Sequence, residues 1–234
     1  MTPTGGLRHL GSMYDSRLNL AAIEACLRQV QKEFPRINKH LQSRRDSMDD
    51  AVVANMMAGY AFVDRTIAER TDLFAMGHSK CLLELNHLVL CGDDPARRKE
   101  MAPHLAATAQ HFYADNGRGV GDIMDWYALH GKDSVWQRAS GVYIRVLSEP
   151  QLFIEGNHRS GALIMSYLLA RDGRPPFVLT VDNAKAYFDP STLIHHTKKH
   201  SLAMLFRMPK LKKNFARFLQ HQANPEFLCP AQTQ

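Results

Sequence analysis

The spacing of apolar residues constrains this chain more than any other feature. They step by three and four from Leu20 through Ile23, Leu27 and Val30 to Phe34. That period lays one apolar stripe along an α-helix and leaves its other sides to solvent. Val52, Met56, Tyr60, Val63 and Ile67 repeat it. Helices are also expected over Ser79–Leu90, stopped by Gly92, and from Pro95 through Met101, Leu105, Thr108 and Phe112. Another runs from Asp133 to Ser148, with Trp136, Tyr143 and Leu147 facing a core, and one carries Leu163, Ile164, Tyr167 and Leu168 as far as Asp172-Gly173. Pro35 is expected to end the first helix, Ser47-Met-Asp-Asp50 reads as a capping box with Ser47 as the cap, and Asp182 is expected to cap a later helix. Phe177–Val181 reads as a short extended segment, and Arg174-Pro-Pro176 cannot continue a helix. The fold class that follows is all-α.

At 234 residues, 45% hydrophobic and 22% charged, the chain is globular and long enough for one sizeable core. No apolar run approaches 18 residues and no signal pattern opens the sequence, so no transmembrane segment is expected. Cys26, Cys81, Cys91 and Cys229 are scattered without metal-type spacing, which points to a reduced, cytoplasmic setting. The net charge of +6 is carried entirely by residues 195–234, which hold seven basic side chains and one acid. Pro209 is expected to interrupt this tail, and a docked amphipathic helix with a solvated basic face accounts for it without nucleic acid as a partner. His196 and His200 lie four apart beside His195, but no nearby Cys or acid completes a metal set, so a surface pair is expected. Asn116-Gly-Arg-Gly-Val-Gly121 has no strand before it and reads as a flexible turn, not a nucleotide fingerprint. Residues 1–15 have no periodicity and read as a loose lead.

One break between helices concentrates chemistry. Gln151-Leu-Phe-Ile-Glu-Gly-Asn-His-Arg-Ser-Gly-Ala162 follows Pro150 and opens a helix. It places an acid, a glycine, an amide and a cation within Glu155–Arg159. A glycine allows a tight turn, and the first amides of the following helix point at one spot, which makes an anion site. A carboxylate beside such a site implies a metal between them.

Phe153-x-Glu155-Gly156-Asn157-x-Arg159 resembles the motif of the Fic (Fido) family, His-x-Phe-x-Asp/Glu-Gly/Ala-Asn-Gly/Lys-Arg. Arg174-Pro-Pro-Phe-Val-Leu-Thr180 and Ala184-Lys-Ala-Tyr187 resemble the stretch that follows it, so the similarity spans about residues 72–206. The resemblance implies a Fic-like helical core there, an N-terminal helical extension over 1–71, a basic tail over 207–234, and a short β-hairpin that no sequence pattern marks, with the region around Gly117–Gly121 as a guess at its place. It implies ATP or another nucleotide as ligand, Mg²⁺ as cofactor, and transfer of AMP or a related phosphate-containing group to a Tyr, Thr or Ser hydroxyl of a protein target. Phe153 would anchor the loop and Glu155 would hold Mg²⁺. Gly156, Asn157, His158, Ser160 and Gly161 would surround phosphate at the helix entry, and Arg159 would pair with its oxygens.

Three departures qualify the likeness. Gln151 stands at the position of the catalytic histidine, and no histidine occurs from Gly131 to Asn157. Loss of a positioned general base costs about 10²- to 10⁴-fold in rate. His158 replaces the usual Gly or Lys and is the one candidate for a substitute base. Ala162 replaces a second arginine, and no Ser or Thr is followed four places later by Glu, so the family's inhibitory glutamate is missing with its partner. The rival reading is a non-catalytic module that keeps the pocket as a ligand sensor.

Overall fold

The computed structural model describes residues 16–114, 119–195, 197–199 and 201–229. Among these the chain forms β1 (Arg17–Leu18), α1 (Leu20–Lys39), α2 (Asp50–Ala68), α3 (Ser79–Cys91), α4 (Pro95–Glu100) and α5 (Ala102–Phe112). They continue with α6 (Val120–Leu129), α7 (Val135–Leu147), α8 (Asn157–Arg171), α9 (Ala184–His195), α10 (Leu202–His221) and β2 (Leu228–Cys229). The protein is therefore all-α with a minimal β ribbon. No helix of the described residues is long and apolar enough to cross a membrane.

The core is built around α8. From Ser160 to Arg171 every residue of this helix is buried, and a helix apolar on all sides needs neighbours on all sides. α7, α2 and α3 supply them. Two glycines let these helices come close. A Cβ at Gly59 of α2 would lie 2.3 Å from Leu163 Cδ1, and one at Gly161 would lie 2.8 Å from Tyr143 Cδ2 of α7. Ile23, Leu27, Val30, Phe34 and Ile37 seat α1 on the same core, and full burial of such a side chain contributes about 1.5–3 kcal/mol. The basic tail docks through Phe215 and Leu219 while Lys210, Lys213 and Arg217 stay exposed, as its amphipathic pattern implies.

Several boundaries differ from the expectation. α1 runs through Pro35 to Lys39, because Pro35 faces solvent, where water can take up the carbonyl it leaves free. α10 likewise passes through the exposed Pro209. The cap of α2 is Asp49, not Ser47: its carboxylate accepts from Val52 N at 2.8 Å. Asn38 holds the chain before it by bonding both the N–H and the C=O of Arg45 at 2.8 Å. The helix expected from Pro95 to Phe112 breaks at Met101, where Pro103 cannot donate to the preceding turn. Thr180 and Asn183, not Asp182, order the entry to α9 by exchanging side chain-to-backbone bonds of 2.9 and 3.1 Å. Phe177–Val181 is non-helical and joins no ladder.

The strands do not form a hairpin. β1 and β2 pair antiparallel, Arg17 with Cys229 and Leu18 with Leu228, so the ribbon joins distant parts of the sequence. Asp64 of α2 secures it by accepting from Arg17 Nε at 2.9 Å and from the Leu18 N–H at 2.8 Å. The segment around Gly117 considered for a hairpin, the loose lead 1–15, and the histidines at 196 and 200 fall wholly or largely outside the described residues.

Candidate functional site

Asn157 makes the most bonds to the Gln151–Gly156 segment, with Asn86 donating to Glu155 O at 2.8 Å and His111 to Gln151 O. Asn157 is buried, its Oδ1 accepts the Phe153 N–H at 2.9 Å, and its Nδ2 donates to Phe153 O at 2.8 Å and Gln151 Oε1 at 3.2 Å. Phe153 is buried and stacks on Phe112 of α5 with ring centroids 5.5 Å apart. Gly156 turns the chain into α8 at φ 74° and ψ 10°, a left-handed conformation that a Cβ disfavours. A Cβ there would also lie 3.1 Å from both Asn86 Nδ2 and Val89 Cγ2 of α3. With glycine at this position no side chain caps α8.

That helix entry borders a cavity of ≈ 350 Å³. Glu155 to Arg159 form one side, residues 44–48 of the α1–α2 connection face them, and Leu27, Phe34, Tyr60, Phe177 and Phe188 close the interior. Arg44, Arg45 and Arg159 border it, as do the carboxylates of Asp46 and Glu155. Arg159 donates to Val89 O at 2.7 Å. Arg45 donates only to neutral acceptors: His158 Nε2 at 3.3 Å, Phe188 O at 3.3 Å, Ser191 Oγ at 3.0 Å and Thr192 Oγ1 at 3.4 Å. Its Nε is buried without a partner. Neither Arg45 nor Arg159 forms an ion pair among the described residues. Burial lowers the pKa of Arg159, opposed by Glu155, Asp46 and Asp49. A desolvated cation without a carboxylate is stabilised by an incoming anion.

His158 lies between Arg45 and Tyr143. Arg45 can only donate, so Nε2 carries the lone pair and Nδ1 the proton, which reaches the Tyr143 hydroxyl oxygen at 3.2 Å. Burial, then the charges of Arg45 and His195, push its pKa down to about 3. The ring is therefore neutral, as a base must be, but its lone pair is already directed at a guanidinium. Tyr187 adds a bond from its hydroxyl to the His158 carbonyl at 2.9 Å, which fixes the first turn of α8 against α9.

The structure thus brings Glu155, Gly156, Asn157, His158, Arg159 and Ala162 to one cavity, and sends the other motif residues elsewhere. Gln151 is not among its walls; its amide bonds Leu147 O and Asn157, and its carbonyl accepts from His111 Nε2 at 2.9 Å. Ser160 is buried against α3, where Asn86 donates to it at 3.0 Å, and Gly161 abuts Tyr143. Glu155 has a side chain 61% exposed, with His104 Nε2 3.7 Å from its carboxylate. No cluster of three His, Cys, Asp or Glu able to hold a metal occurs among the described residues. Glu155 nonetheless suits Mg²⁺, which takes one or two carboxylates and completes its shell with water and phosphate oxygens. Sequence reasoning missed Arg45, His104 and His111. Arg45 lies between two helices with no apolar period to mark it, and only tertiary packing carries it to position 158.

No family model, curated protein or solved structure matches the chain.

Proposed function

We propose that this chain is a Fic-like protein that binds a phosphate-bearing ligand, such as a nucleotide, in the cavity bordered by Glu155–Arg159. One observation carries the reading: Arg45 and Arg159 reach the cavity without carboxylate partners, beside a helix N-terminus that no side chain caps. Glu155 would hold Mg²⁺, which when bound neutralises charge on the phosphates. Arg159 and the first amides of α8 would orient the phosphoryl oxygens, and the cavity walls would exclude water from the ligand's body.

Transfer to a protein hydroxyl would form a new phosphorus–oxygen bond, break the bond to the leaving phosphate, and require an acceptor for the hydroxyl proton. Neither side chain at hand supplies one well. Gln151 has no titratable proton near pH 7, and the His158 lone pair meets Arg45. This favours, as the second reading, a non-catalytic module that keeps the ligand and has given up the transfer. Incubation with labelled ATP, Mg²⁺ and candidate target proteins separates the two. Label transfer that disappears in Arg159→Ala supports the enzyme. Mg²⁺-dependent ATP binding with no transfer, by either the parent or Gln151→His, supports the module.

A further inference from the structure

We infer that the ligand of this cavity is a phosphomonoester with an apolar body, its phosphate at the mouth between residues 44–47 and 155–159 and its hydrocarbon portion against the inner wall. The inference rests on the phosphate-binding reading above and selects among the ligands that reading allows.

The cavity is polarised from end to end. Arg44, Asp46, Ser47 and Glu155 border it and are exposed, so they mark the mouth. Leu27, Phe34, Tyr60 and Phe177 border it and are buried, so they mark the floor. Hydrogen-bonding capacity follows the same gradient. Of the polar side chains along the wall, Tyr60 donates to Phe177 O at 2.7 Å and Tyr187 to His158 O at 2.9 Å. The Asn157 amide is committed to residues 151 and 153, and both His158 nitrogens have partners. The groups with capacity left are Arg44, the Arg45 Nε, Asp46, Ser47, Glu155, Arg159 beyond its one bond to Val89 O, and the leading amides of α8, all in the two segments that form the mouth.

A ligand must match that division. A nucleoside would bring ribose hydroxyls and base edges to a floor whose side-chain donors, Tyr60 and Tyr187, are already committed, and each buried, unpaired polar group weakens binding about five- to 100-fold. A hydrocarbon or simple aromatic body meets Leu27, Phe34, Met56, Phe177 and Leu179 with no such penalty. Ala162 belongs to the same argument: it is buried at the cavity wall and adds apolar surface where the Fic motif often has a second cation.

The test is calorimetric titration of the whole protein with inorganic phosphate, ethyl, butyl and hexyl phosphate, and AMP. Binding is expected to tighten by about fourfold per methylene from ethyl to hexyl phosphate. AMP is expected to bind no tighter than ethyl phosphate. Leu179→Asn is expected to flatten the series, and Arg159→Ala to weaken every member. Flat affinity across the series, or AMP tighter than hexyl phosphate, would overturn the apolar-body inference while leaving the anion site standing. Chain-length dependence indifferent to Arg159→Ala would overturn the placement of the phosphate. Failure of every phosphate, inorganic included, to bind would remove the anion site as well.

Discussion

At position 158 the sequence offered a substitute base, and the surroundings of that ring decide what it can do. Burial first, then the Arg45 charge, holds His158 neutral, with a pKa of about 3 in place of its ordinary 6.5. Between those values the unfolded chain binds a proton that the folded chain refuses. The stability tied to this residue is therefore complete above pH 6.5 and is lost progressively as pH falls towards 3. Over pH 6.5 to 5, above most carboxylate titration, the loss should be about 1–2 kcal/mol. His158→Gln can still accept from Arg45 and donate to Tyr143 but has no proton to gain, so urea unfolding should show a flatter dependence over that range. Parallel profiles for parent and variant would contradict the assignment. Comparison with the variant also cancels His87, whose pKa burial lowers in the same direction.

Among elements, the join between α6, α7 and the segment before α10 bears most directly on the motif. Residues 197–199 run beside the entry to the loop: Glu149 N donates to Thr197 O at 3.0 Å, and Lys199 N to Glu149 O at 2.9 Å. The Lys199 ammonium is wholly buried, 3.5 Å from Asp122 of α6, whose other oxygen takes Arg145 of α7 at 2.7 Å. Asp122 thus answers two cations at once. Asp122→Ala should destabilise the fold by about 3–5 kcal/mol, because an ammonium is left buried and unpaired. Adding Lys199→Met should recover a large part of that loss in a double-mutant cycle read by chemical denaturation. Additive losses would show that the pair is not coupled. No sequence pattern announces this cluster, since residues 122, 145 and 199 come from three separate elements. The helices themselves were legible because apolar period and burial coincide: Met56, Tyr60, Val63 and Ile67 are all buried in α2 as their spacing implies. Boundaries were less so. Pro35 and Pro209 stop a helix by local rules, but exposure at both sites lets α1 and α10 continue.

On the scale of the whole molecule, the cavity exists only because distant segments converge. The loop at 155–159 was readable since its residue types are adjacent in the chain and each suits an anion or a metal. Its opposite wall was not readable, because α1, the 44–48 connection and the floor at Phe177 are distant in sequence and meet only through tertiary packing. The resemblance placed residues 1–71 in an extension, yet Leu27, Phe34, Arg45, Met56 and Tyr60 from that span line the cavity. In this structure Arg45 shares the cavity with Arg159 and contacts His158 across 113 positions of sequence.

Anion binding at this cavity therefore requires Arg45 and Arg159 to hold one anion between them. Titrating inorganic phosphate into the parent protein, Arg159→Ala and Arg45→Gln by calorimetry tests it directly. Binding by the parent, weakened at least about tenfold in each variant, is predicted, since a charge-assisted hydrogen bond contributes about 1.5–3 kcal/mol. Phosphate affinity that is unchanged in both variants, or no binding by the parent, would contradict it.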